Sequence, residues 1–289
     1  MIEYDGKRWI ALVLRLDGSV LPRLLGRVLF TAAIGAGAVW LHDTRGAKVP
    51  PIAHTLIGVA LGLLLVFRTN ASYDRYWEGR KLLGGMVNRS RDLVRQVVTF
   101  IPDAELRTRL RRHVAAFYAL AALTLRKERD LGAVRDLLTD EEKQRLEPYT
   151  HRAPVISAWI SRALVREADA GRLTEQRLLA MDQNLTALHD ALGGAERIMR
   201  TPIPFAYAQH IKTFVLLFCF TAPFAMADSM RWFTPLSAGL LAFALFGIDE
   251  IGVEIEDPFG DDPNDLPLDG IGVGIEKATA EILDDARVR

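Results

Sequence analysis

The sequence predicts an all-α integral membrane protein: four transmembrane helices in two hairpins, with a helical cytosolic domain between them. Three observations lead there. Four uncharged apolar stretches fall into two pairs. The long charged middle repeats its apolar residues at helical spacing. Lys and Arg crowd both outer flanks of the first pair and are scarce in the links inside the two pairs.

The apolar stretches are Val28–Leu41, Val49–Phe67, Thr213–Ala227 and Trp232–Ile248. Val49–Phe67 is 19 residues long and ends at Arg68. As a helix it would span roughly 28 Å, the thickness of a hydrocarbon core. The other three are shorter, and each alone would suit a buried helix of a soluble protein. Their pairing favours membrane hairpins. The links are short and polar, His42–Lys48 and Asp228–Arg231, and Trp40 and Trp232 sit where interfacial anchors belong. With their flanks, the helices are expected at about 24–42, 49–67, 211–229 and 232–250.

Orientation follows from the basic residues. Lys7, Arg8, Arg15, Arg23 and Arg27 precede the first stretch, and Arg68, Arg75, Arg80, Lys81 and Arg89 follow the second. The positive-inside bias places both termini and the middle in the cytoplasm, which in a bacterium means a multi-pass protein of the inner membrane. The cytosolic region, 68–210, repeats Leu93, Val97, Val98 and Ile101, then Leu110, Val114, Phe117 and Leu120, then Leu178, Leu179, Met181, Leu185 and Leu188. Breaks are expected near Ile101-Pro102-Asp103, Glu147-Pro148, Ala153-Pro154 and Gly193-Gly194. An acidic segment, 249–289, closes the chain, and the whole is read as one domain, 1–289.

Composition narrows the function. The 289 residues carry 36 basic and 36 acidic side chains, so there is no global field for nucleic acid. A single cysteine, Cys219, excludes an intramolecular disulfide and a cysteine-based metal site. The start Met-Ile-Glu-Tyr-Asp is not that of a signal peptide. The six histidines form no zinc pair, and Gly79-Arg-Lys-Leu-Leu-Gly84 lacks the Gly-Lys-Ser/Thr ending of a phosphate loop. Gly270-Ile-Gly-Val-Gly274 has no strand–helix unit around it and reads as a flexible turn. No catalytic residues are assigned, and an enzyme is not expected.

Two features invite a functional reading. Glu250, Glu254, Glu256, Asp257, Asp261, Asp262 and Asp265 lie between Asp249 and Asp269. Clustered carboxylates bind hard cations, but the spacing is not that of an EF-hand, and by spacing alone a solvated acidic turn is the simpler account. On the second apolar stretch, Ile52, Leu56 and Ala60 recur every four residues, beside the row Thr55, Val59 and Leu63. One row could face a pore and the other a neighbour, since rings of apolar side chains gate by dewetting. Ordinary helix packing explains the spacing equally well.

Three segments carry a family resemblance. Phe67-Arg-Thr-Asn-Ala-Ser-Tyr-Asp-Arg-Tyr-Trp-Glu-Gly-Arg80 resembles the segment that follows the pore helix of bestrophins, especially the bacterial homologues. Thr201-Pro-Ile-Pro-Phe-Ala-Tyr-Ala-Gln209 is similar to the stretch leading into their third membrane helix. Glu256-Asp-Pro-Phe-Gly260, with the following Asp-Asp-Pro-Asn-Asp-Leu-Pro-Leu-Asp269, is similar to their acidic motif after the fourth helix. The resemblance implies a homopentameric channel that passes small inorganic ions, chloride or a monovalent cation, through one central pore. It implies a hydrophobic neck at Ile52, Leu56 and Ala60 and a second constriction within Gly171–Leu179. By position, Asp257, Asp261, Asp262 and Asp265 match the region of the animal calcium clasp. Pro263 and Asn264 interrupt it, so the cluster is expected either to hold calcium or to brace neighbouring subunits. The implied partners are identical subunits, membrane lipid and the permeant ions. A membrane-anchored scaffold or signalling protein, whose cytosolic helices bind a partner, is the alternative.

Overall fold

The computed structural model describes residues 2, 4–134 and 136–288, with only the backbone of Ala133, Arg287 and Val288. Among them there is no strand. Ten α-helices follow in order: α1 (Trp9–Val13), α2 (Leu21–Arg45), α3 (Pro51–Phe100), α4 (Ala104–Leu125), α5 (Asp140–Leu146), α6 (Arg152–Asp169), α7 (Glu175–Arg200), α8 (Phe205–Met230), α9 (Thr234–Glu256) and α10 (Leu268–Val288). Three stretches are long and apolar enough to cross a membrane: Leu21–Arg45, Pro51–Phe100 and Phe205–Glu256. The last contains α8 and α9, joined by the 3-10 turn Arg231–Phe233. Arg231, with φ +51°, turns the chain between them.

The chain forms two compact units. The first comprises residues 1–76, 202–258 and 262–265. Here α2 packs on α8 and α9, and α8 packs on α9. Their shared core joins Leu24, Leu61, Leu65, Val215, Phe218 and Phe246. Burial of such side chains contributes about 1.5–3 kcal/mol each in water, but in lipid close packing matters more. Gly35 shows how close that packing is. A Cβ there would lie 2.9 Å from the Cα of Pro235, a backbone atom that cannot swing away. Around this core, Leu25, Leu29, Trp40, Leu217, Trp232, Phe233, Leu236 and Leu240 are all exposed. Exposed apolar residues on such a scale are what a lipid-facing surface requires.

The second unit comprises residues 77–201, 259–261 and 266–289. Here α4 packs on α6 and α10, and α6 packs on α7. Leu93, Val97, Ile101, Leu110, Val114, Phe117, Leu120, Met181, Leu185 and Leu188 are buried, as their helical spacing predicts. The caps are side-chain oxygens on freed amides. Asp103 accepts from the N–H groups of Glu105 and Leu106, and Thr139 and Glu142 form a reciprocal capping box.

Several expectations need correction. The second apolar stretch is not a helix of its own, because α3 runs unbroken through Arg68 to Phe100. A change from apolar to charged side chains alters the solvent a helix needs, not its backbone. Gly193-Gly194 is no break and lies inside α7, where a Cβ on Gly194 would meet Leu82 at 2.8 Å. Ala153-Pro154 falls in the first turn of α6, where proline gives up no helical hydrogen bond. Gly270–Gly274 is helical within α10, where Gly272 lies against the ring of Tyr118. Leu179 is 60% exposed and lies outside the core. The predicted breaks at Pro102 and Pro148 are present.

Gly35→Ala should destabilise the first unit by about 1–3 kcal/mol, through overpacking against Pro235. Gly37→Ala, whose Cβ would meet nothing within 4 Å, should be neutral or slightly stabilising. Thermal unfolding of the two variants in one detergent checks the pair.

Candidate functional site

The first half of α3 presents two faces. Leu61, Leu65, Arg68 and Ser72 are buried in the first unit. The other side is bare. Ile52 is 66% exposed and Leu56 67%, and Ala60 is exposed with them. The neighbouring row is equally free, with Val59 71% and Leu63 57% exposed. Neither row packs into this chain's own core, which removes packing within the chain as the reason for their spacing. Gly58, on the half-buried flank, lets the ring of Phe218 approach: a Cβ there would lie 3.1 Å from its Cζ.

Where the apolar run ends, the helix meets a polar knot. Arg68 is 1% exposed, with Nε 3.1 Å from Asp249 Oδ1 and Nη2 3.6 Å from Glu256 Oε2. The contact with Asp249 is close but not aligned as a hydrogen bond. Lys212 Nζ donates to the other Asp249 oxygen at 2.9 Å. Glu256 is held at both ends: its side chain accepts from the N–H of Ile203 and its carbonyl from Arg75 Nε, each at 3.0 Å. Arg27 donates to Glu250 at 2.9 Å, and Arg23 reaches Asp262 at 3.6 Å. Asn264 Nδ2 donates at 3.0 Å to the carbonyl of Gly18 and to Glu254 Oε1. Residues from all three segments that carry the resemblance thus meet here: Arg68 and Arg75, Ile203, and Glu256 and Asn264.

The acidic stretch is a turn solvated in part, with Asp257, Asp261 and Asp262 exposed. Asp249, Glu254 and Asp265 are buried. The four candidate residues have separate fates. Asp257 is exposed. Asp261 pairs with Arg126 Nε at 3.1 Å in the second unit. Asp262 pairs with Arg23, and its N–H donates to Asp265 Oδ2 at 2.7 Å. Asp265 lies 4% exposed. Burial pushes its carboxyl up to about 6; the Asp262 N–H opposes this, and the nearby carboxylates of Asp262, Asp257 and Glu254 add to it. Among the described residues, no three His, Cys, Asp or Glu side chains are grouped as a metal site.

The profile of the bacterial/fungal bestrophin proteins matches residues 1–281. The chain belongs to the bestrophin family. Relatives named voltage-dependent anion channel-forming proteins include one from Nostoc, 39% identical over 92% of this chain and 88% of its own. One from Synechocystis is 41% identical over 91% and 88%. YneE of Escherichia coli K12 is 32% identical over 100% and 96%. The crystal structure of a bacterial bestrophin homologue from Klebsiella pneumoniae superposes with a TM-score of 0.85 at 29% identity, covering 90% of this chain and 98% of that one. This bestrophin is a multi-pass membrane protein, and its family and relatives point to a channel, not an enzyme.

The residues that sequence reading passed over are Arg68 and Asp249 as a pair. They are 181 positions apart, and each looks like the ordinary end of an apolar run. Opposite charges at the ends of two such runs were the available signal.

Removing one partner of this buried pair leaves the other charge unpaired. Arg68→Met should cost about 3–5 kcal/mol in a well-folded reference, read as loss of folded protein in detergent extracts. Asp265→Asn tests the other buried carboxyl. A carboxyl raised in the folded state binds its proton more tightly there, so it favours folding at low pH and weakens it as pH rises through about 6. At about pH 7.5 the Asn variant should be more stable by about 1–2 kcal/mol, an advantage that fades toward about pH 5. If it is instead less stable, and only with calcium present, Asp265 is a metal ligand.

Proposed function

We propose that this bestrophin passes small inorganic anions passively through a central pore formed by five copies of the chain. The observation that carries this reading is the bare apolar row on α3. Ile52, Leu56 and Ala60 are exposed on the isolated chain, on a helix whose opposite face is locked into the core. In a ring of subunits that row makes a narrow hydrophobic neck, and the row of Val59 and Leu63 packs on the neighbouring copy. Apolar rings of this kind pass ions when wetted and block them when dry. The names of the relatives support anions over cations; the neck itself carries no charge, so the sign of the ion depends on other parts of the path.

Four crossings, α2, the apolar half of α3, α8 and α9, put both termini and the second unit in the cytoplasm, at the bacterial inner membrane, and the chain acts as a single domain. The positive flanks support this orientation. The acidic segment acts as a brace. Asp261 and Asp262 each hold an arginine, and a calcium ion would have to compete with those pairs.

Purified protein in liposomes should give chloride flux, and asymmetric salt should give a reversal potential near the chloride equilibrium value. Absence of flux would turn the reading toward a membrane-anchored scaffold. Ala60→Phe should lower single-channel conductance several-fold; unchanged conductance would place that side chain against a neighbouring helix.

A further inference from the structure

The second unit contains a cavity of about 620 Å³ walled by α4, α5 and α6. Helical spacing brings its side chains together. Arg109 and His113 are one turn apart on α4, Glu142 and Arg145 on α5, and Trp159, Arg162 and Arg166 on α6. Four guanidinium groups thus line one space. None of the four is ion-paired with a described carboxylate, although arginine elsewhere in the chain is commonly paired. Glu142, the carboxylate in the lining, is already engaged. One oxygen lies 2.7 Å from His113 Nε2 and the other accepts from the N–H of Thr139 at 2.9 Å. His113 adds no lasting charge: burial holds its imidazole below the ordinary value, with Glu142 opposing and Arg109 and Arg112 assisting. The positive field of the cavity therefore comes from the arginines.

We propose that this cavity is a binding site for a small multivalent anion of the organic phosphate class, gripped by Arg109, Arg145, Arg162 and Arg166. Three features select that chemistry. Guanidinium forks match the paired oxygens of phosphate, whereas a halide offers no such geometry. The volume fits a small organic molecule, not one inorganic ion. The wall is partly apolar: Arg145 lies over the Trp159 ring at 4.5 Å from its centre, with Pro154, Val155 and Ala158 beside it. The stacked Arg145 is thereby pre-set for a ligand. The site lies on elements other than α3 and does not depend on the pore reading.

Calorimetric titration of the full-length protein in detergent tests this, with pyrophosphate, ATP and adenosine as probes at about physiological ionic strength. Pyrophosphate and ATP should bind saturably, ATP more tightly, and adenosine should not bind. The double variant Arg162→Gln/Arg166→Gln should weaken ATP binding at least tenfold, as should Arg109→Gln to a lesser degree from a separate helix. These residues are exposed, so the variants should elute and melt like the parent. Arg91→Gln removes one exposed charge outside the cavity and should change nothing. Absence of saturable pyrophosphate binding would overturn the site. So would equal affinity in the cavity variants, or equal weakening by Arg91→Gln. Pyrophosphate binding as tightly as ATP would overturn the organic part of the assignment.

Discussion

Arg68 is the constraint on which the first unit depends. A guanidinium 1% exposed is costly to bury, and Asp249 and Glu256 come to meet it and offset that cost. That requirement fixes the C-terminal end of the apolar half of α3 against α9. Lys212 on the same Asp249 adds α8, and Ile203 on Glu256 fixes the chain that enters α8. Apolar packing within lipid would allow helices to slide or rotate, since lipid tails are as apolar as leucine. A buried ion pair allows far less. The pair therefore sets the rotation of α3, and with it which of its faces is left bare.

That rotation has a functional consequence. Leu61 and Leu65 lie on the same side of α3 as Arg68, so they turn inward with it. Ile52, Leu56, Val59 and Leu63 are left on the outside, each more than half exposed. A helix committed to the core on one side and bare on the other can serve as a shared wall between copies. The same economy explains the acidic segment: its carboxylates answer Arg23, Arg68 and Lys212 in the first unit and Arg126 in the second, each from within the chain.

The sequence by itself determined the class. Length and lack of charge marked the apolar runs, and helical repeats marked the middle helices, because both signals are local and survive without a partner. The rows on α3 were legible as rows for the same reason. The tertiary structure decided what no local signal carries. Arg68 and Asp249 pair across 181 positions, and the glycine at 194 serves helix packing rather than a turn because Leu82 stands opposite it. Arg109, Arg145 and Arg162 belong to three helices and look like scattered surface charges until those helices converge on one cavity. Periodicity says that a face exists; only packing and charge pairing, which act between distant parts of the chain, decide where each face points.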